Sequence, residues 1–174
     1  MKQRISAMDW IGKVIGKNKE DYVNMQGWAH WVRRNSQGDI TGEWDVNNLI
    51  TNSAKAKIAD LLVGDVGSAA PTQWDDIAIG TGTGQTATST TLATEISTNG
   101  GARAGSTGTR VTTSVTNDTA QFVLTYSFTG SFAVTESGVF DDISTGTMLC
   151  YQSFSAINVV SGDSLQVTWK VQIS

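Results

Sequence analysis

The chain has 174 residues, of which 16% are charged, with 18 glycines, one proline, one cysteine and a formal net charge of −4. So few charges exclude a coiled coil, a salt-bridged helical bundle or a charged disordered tail, and the acidic balance excludes a protein that neutralises a nucleic-acid backbone. One cysteine, Cys150, rules out an internal disulfide framework, so core burial or assembly must stabilise the fold.

The first segment spaces Ile5, Met8, Ile11 and Ile15 along one face of a helix, with Lys13 and Lys17 opposite, while Gly12 and Gly16 weaken it by about 1 kcal/mol each. Residues 1–24 therefore read as an N-terminal arm, helical when docked. It fits packing on its own domain, docking on a neighbouring subunit, or lying on a membrane surface. The segment lacks the apolar stretch and cleavage site of a secretory signal, and no run reaches membrane-spanning length, so synthesis in a cytoplasm without membrane insertion is expected.

From residue 25 onward the chain reads as one β domain. Trp28, His30 and Val32 alternate with Ala29, Trp31 and Arg33, and after the turn signal Asn35–Asp39 the run Ile40–Asp45 completes a hairpin rich in indoles. Trp10, Trp28, Trp31 and Trp44 all fall in the first 44 residues. Core packing is the default for each, and an exposed cluster would make an interface.

Residues 52–64 predict a helix. Asn52 or Ser53 offers the N-cap, Ile58, Leu61 and Leu62 make the apolar stripe, and Gly64 suits a left-handed C-cap. Residues 65–71 read as a loop and Trp74–Gly80 as a short strand. Residues 80–109, dominated by Thr, Gly, Ser and Ala, read as a long surface excursion with a helical turn at Leu92–Ile96.

The last third is strongly periodic. Gln121–Phe128, Phe132–Val134, Gly138–Phe140, Met148–Phe154 and Leu165–Ile173 are strands, separated by turns at Thr129–Ser131, Ser144–Gly146 and Ser161–Asp163. The expected fold is mainly β: an antiparallel β-sandwich or jelly-roll-like domain with one short helix.

Motifs with a chemical look fare poorly in context. Gly162-Asp163-Ser164-Leu165 spells the block of the GDSL esterases, but it lies ten residues from the last position of the sequence and the single histidine, His30, is upstream. Gly80-Thr81-Gly82-Thr83-Gly84 lacks the Lys-Ser/Thr and the helix of a phosphate loop. Asp75, Asp76, Asp141 and Asp142 could join loop carbonyls around Ca²⁺, without the spacing of a calcium loop. Glu95 and Glu136 have no spacing that marks a glycosidase pair. No catalytic residue, cofactor or metal ligand set is expected.

Several short blocks carry a likeness. Asn48-Leu49-Ile50-Thr51-Asn52-Ser53-Ala54-Lys55, residues 77–82, 91–95 and 135–140, Met148-Leu149 leading to Phe154-Ser155-Ala156, and residues 165–169, in that order, resemble small structural proteins of tailed bacteriophages, described as virion, tail-fibre or head-decoration proteins. The resemblance covers residues 45–174 and implies a non-enzymatic virion component made in a bacterial host, homo-oligomeric, with a trimer preferred, and bound to capsid or tail subunits.

Two functional expectations follow. In the first, the protein decorates or cements the capsid exterior, with Ile5, Met8, Trp10, Ile11, Ile15, Trp28, Trp31 and Trp44 as the assembly interface. In the second, it is a tail-fibre, neck or adsorption protein in which Trp74 and Tyr151 stack on host-surface glycans.

Overall fold

Strict alternation of large apolar and polar residues places one face of a strand against a core and leaves the other wet. In the computed structural model, which describes residues 24–63 and 72–173, this pattern builds two antiparallel five-stranded sheets. The strands are β1 (Met25–Arg34), β2 (Ile40–Asn47), β3 (Leu49–Ile50), β4 (Asp76–Gly80), β5 (Ala104–Gly105), β6 (Thr107–Val111), β7 (Thr119–Ser127), β8 (Phe132–Phe140), β9 (Met148–Val159) and β10 (Ser164–Ile173). The first sheet has the order β2-β1-β10-β7-β6, and the second β3-β9-β8-β4-β5.

Register fixes which side chains meet. In the first sheet Ala29, Trp169 and Phe122 align across β1, β10 and β7, as do Trp31, Val167 and Leu124. These rows face the second sheet, where Ile77, Ile79, Val134, Val139, Cys150 and Ile157 close the same core. Trp31 tilts against Phe154 at 4.8 Å between ring centroids. The Tyr126 hydroxyl donates to Ile77 O at 2.7 Å, and Trp169 Nε1 donates to Ser137 Oγ at 3.3 Å, so the phenol and indole that cross the core are satisfied there.

The chain changes sheet between β2 and β3, and the single helix among the described residues, α1 (Asn52–Val63), follows at once. Its N-cap is Thr51 rather than the expected Asn52 or Ser53: Thr51 Oγ1 accepts the Ala54 N–H at 3.1 Å while donating to Met148 O of β9. The hydroxyl that starts the helix also ties it to the second sheet. Gly64, the loop 65–71 and all of the arm 1–24 except Asn24 lie outside the described residues.

Three expectations are corrected. Leu92–Ile96 is not helical; it runs irregularly, with a lone bridge between Gly80 and Glu95, because Leu92 and Ile96 are each drawn down as single buried anchors. The stretch read as one long excursion also contains β5 and β6, which complete one edge of each sheet. Phe132–Val134 and Gly138–Phe140, read as separate strands, belong to β8, which pairs with β9 through two register shifts.

Candidate binding surface

Just before β4 the chain passes an edge of the sandwich, where Asp75 N–H donates to Phe140 O at 3.1 Å and Asp75 O accepts the Ser106 N–H at 2.6 Å. These bonds hold Trp74 half-buried between the two sheets. Its indole N–H donates to Thr147 O at 3.0 Å, and the Lys57 ammonium stands 4.4 Å from the ring centroid. Lys57 is itself fixed by Asp141 and by Thr72 O. The ring therefore cannot swing freely.

Beside it opens a shallow cleft of about 340 Å³, lined by Trp74, Asp75, Ser106, Thr109, Arg110 and Phe122. An aromatic ring, a carboxylate, a guanidinium and hydroxyls converge there. That set can stack on an apolar ring face while donating and accepting hydrogen bonds around its rim.

The neighbouring loop is held by buried ionic groups. Glu136 of β8 is fully buried, and its carboxylate accepts the N–H groups of Gly82 at 3.0 Å, Thr94 at 2.7 Å and Ala93 at 3.0 Å. Arg103 makes a bidentate pair with Glu95 at 3.0 and 2.7 Å, donates to Asp142 O and Thr145 O, and lies 3.7 Å over the Phe140 ring. Asp142 accepts from the backbone of Thr145 and Ser144, which lowers its carboxyl to about 2. Asp76 moves the other way, raised first by burial and then by neighbouring Asp75.

Glu95 and Glu136 are each engaged by partners in the loop, Glu136 by backbone N–H groups and Glu95 by Arg103. Glu136 also aims its carboxylate at the Gly80–Gly84 loop, and a Cβ at Gly82 would sit 2.7 Å from Oε1. A carboxylate there opposes phosphate binding. The Asp141 carboxylate is engaged by Lys57 and Asp142 by its own turn, and among the described residues no group of three or more His, Cys, Asp or Glu could hold a metal ion.

The GDSL letters form a turn. Gly162 has φ +90°, and the Asp163 carboxylate, 5% exposed, accepts the Val160 N–H at 3.2 Å with Arg33 Nε 3.3 Å away. Ser164 pairs with Arg34, four residues along β1 from His30, or about 13 Å. His30 instead faces Asp45 across the hairpin at 3.0 Å.

The structure disperses the other sequence-predicted residues. Trp31 is fully buried in the core and is unavailable as an interface residue. Trp44 packs partly against that core, and Trp28 lies on the outer face of the first sheet with Lys170 5.9 Å from its ring. Tyr151 is 3% exposed, packed with Ala78, Leu92, Phe140 and Met148, so it cannot stack on a sugar and is not part of the Trp74 cleft. Ile5, Met8, Trp10, Ile11 and Ile15 lie outside the described residues. Arg110 and Ser106 were missed; they sit in weakly patterned sequence more than 30 residues after Trp74.

A family model described as "Podophage GP4 fiber I protein gp80" matches residues 49–171. The chain belongs to this phage fibre family. The match spans the helix, the second sheet, the Trp74 cleft and three strands of the first sheet, and leaves out β1, β2 and everything before them. No curated protein and no solved structure matches the chain. The protein is a tailed-phage virion structural protein of the tail-fibre type, and among the described residues no helix is long and apolar enough to cross a membrane.

Proposed function

We propose that this fibre-family protein works in the tail region of the particle as an adsorption subunit, present as a homo-oligomer with a trimer preferred, which binds host-surface saccharide without catalysing a reaction. The observation that carries this reading is the Trp74 cleft, an anchored indole beside Asp75, Arg110 and hydroxyls, lying wholly within the matched residues 49–171. A pyranose offers an apolar C–H face to an aromatic ring and hydroxyls to the polar rim. The carboxylates of the neighbouring loop are engaged with backbone and arginine, which favours binding over acid–base chemistry.

The fibre match favours this position over decoration of the capsid exterior. Binding of the purified protein to a glycan array should be lost in Trp74→Ala and kept in Trp28→Ala, whose indole lies outside the cleft. Equal binding by the two variants would remove the cleft from the reading. Quantitative immunoblotting of intact particles should give a handful to a few tens of copies; hundreds would restore capsid decoration.

A further inference from the structure

The Trp74 cleft holds two charges of opposite sign that do not meet: Arg110 and Asp75 both line it, and no ion pair or hydrogen bond joins their side chains. Among the described residues the Arg110 guanidinium is exposed and makes no ion pair and no side-chain hydrogen bond at all. The other three arginines are committed, Arg33 and Arg103 to Asp163 and Glu95, and Arg34 to Gly38 O. The acids beyond Trp74 are committed too: Asp141 pairs with Lys57, and Asp142 accepts from its own turn.

Placement separates this arginine from ordinary surface charge. On β6, Gly108 and Arg110 lie opposite Phe122 and Ala120 of β7, which pack against the core. Strand residues two apart share a face, so both stand at the mouth between the sheets rather than on the bare outer side. Gly108 has no left-handed φ, and an added Cβ would touch only Phe122 Cδ1, at 3.9 Å. Packing does not require glycine there, and glycine weakens a strand. Its bareness leaves open space beside the Phe122 ring, on the same side of the strand as the guanidinium.

We infer that the ligand of this cleft is an acidic saccharide, its anionic substituent bound by Arg110 and its apolar face stacked on Trp74, an inference that rests on the saccharide reading above. The guanidinium presents a planar fork of N–H donors that matches the paired oxygens of a carboxylate or a phosphate. Asp75 repels that substituent and accepts hydroxyl groups of the same sugar, so the two side chains together fix which end of the ligand lies at Arg110. A neutral sugar would stack on Trp74 but leave the guanidinium to water. Uronic acids and sugar phosphates share the required chemistry.

The experiment probes an array with the full-length protein. The array carries uronic-acid oligosaccharides, each beside its carboxyl-reduced neutral counterpart, and sugar phosphates beside the unphosphorylated sugars. The native chain should prefer the acidic member of a pair by about tenfold, and the preference should shrink as salt is added. Arg110→Gln should bring that ratio to about one, and Arg110→Lys, which keeps the charge without the fork, should restore part of it. A preference confined to uronic acids, or to phosphates, supports the inference and identifies the substituent. Native protein that binds both members of every pair alike, and loses both in Trp74→Ala, overturns the inference and leaves the saccharide reading intact. A ratio unchanged in Arg110→Gln also overturns it, leaving Arg110 as a charge that guards the edge of β6 against strand pairing. An array on which no binding depends on Trp74 overturns both.

Discussion

The outer faces of the two sheets are built in opposite ways. Outside the first sheet, Trp28, His30, Gln166, Thr168 and Thr125 stand on bare strands, and the polar members need no partners beyond water and each other. The corresponding face of the second sheet is roofed by residues 81–103, where Ala78, Leu92, Phe140, Met148 and Tyr151 form a small second cluster. Irregular chain laid over a sheet brings unpaired backbone N–H groups with it, and those must be satisfied or the roof is unstable. Glu136 is the answer on this side, and the bare face requires no such device.

Removing that device should produce the largest loss. Glu136→Ala leaves three N–H groups of the roof without an acceptor, at roughly 1–3 kcal/mol each. We expect about 5 kcal/mol of destabilisation in urea unfolding, with early proteolytic cleavage inside residues 81–103. Glu136→Gln keeps one acceptor oxygen and should lie between the variant and the native chain. A Glu136→Ala protein as stable as the native one, with an intact roof, would mean that the loop is held by its apolar anchors alone.

The same contrast can be sharpened within one strand. Trp31 and Trp28 are three residues apart on β1, one fully buried between the sheets and the other on the bare face. Trp31→Ala opens a large cavity and should cost about 4 kcal/mol, whereas Trp28→Ala should stay within about 1 kcal/mol. Comparable losses in denaturant unfolding would show that the outer face of the first sheet is not bare in solution, as when a second subunit covers it.

Much of this architecture was legible because alternation carries it: β7 and β10 announce their buried faces residue by residue, whereas the burial of Ile77-Ala78-Ile79 on both sides is seen only in the structure. The roof was not legible. Its order comes from contacts such as Glu136 with Thr94 and with Gly82, 42 and 54 residues apart in sequence, and Thr/Gly-rich chain has no period to reveal them. Tyr151 was misplaced for the same reason, since nothing local says that the second face of its strand is covered. Trp74 could be singled out as an aromatic in polar surroundings, but its cleft depends on β5 and β6, which bring Ser106 and Arg110 across from the excursion.

Acid should separate the exposed turns from the roofed face with the smallest effects of all. Asp142, lowered to about 2 by the backbone N–H groups of Thr145 and Ser144, and Asp118, held well below the usual range by those of Val115, Thr113 and Ser114, both favour the charged form in the folded chain. Their stabilisation is complete above the ordinary carboxylate pKa of 3.8 and is lost as pH falls toward 2. Asp76, raised by burial and by Asp75, has the opposite sign: the folded chain takes up its proton first, so this group gains stability as the pH falls through its raised pKa. Urea midpoints measured at pH 5 and pH 2.5 should therefore fall in the native chain, fall less in Asp118→Asn with Asp142→Asn, and fall more in Asp76→Asn. An unchanged slope in the double variant would show that the turns carry none of the acid sensitivity, leaving it to the ion pairs that hold the roof.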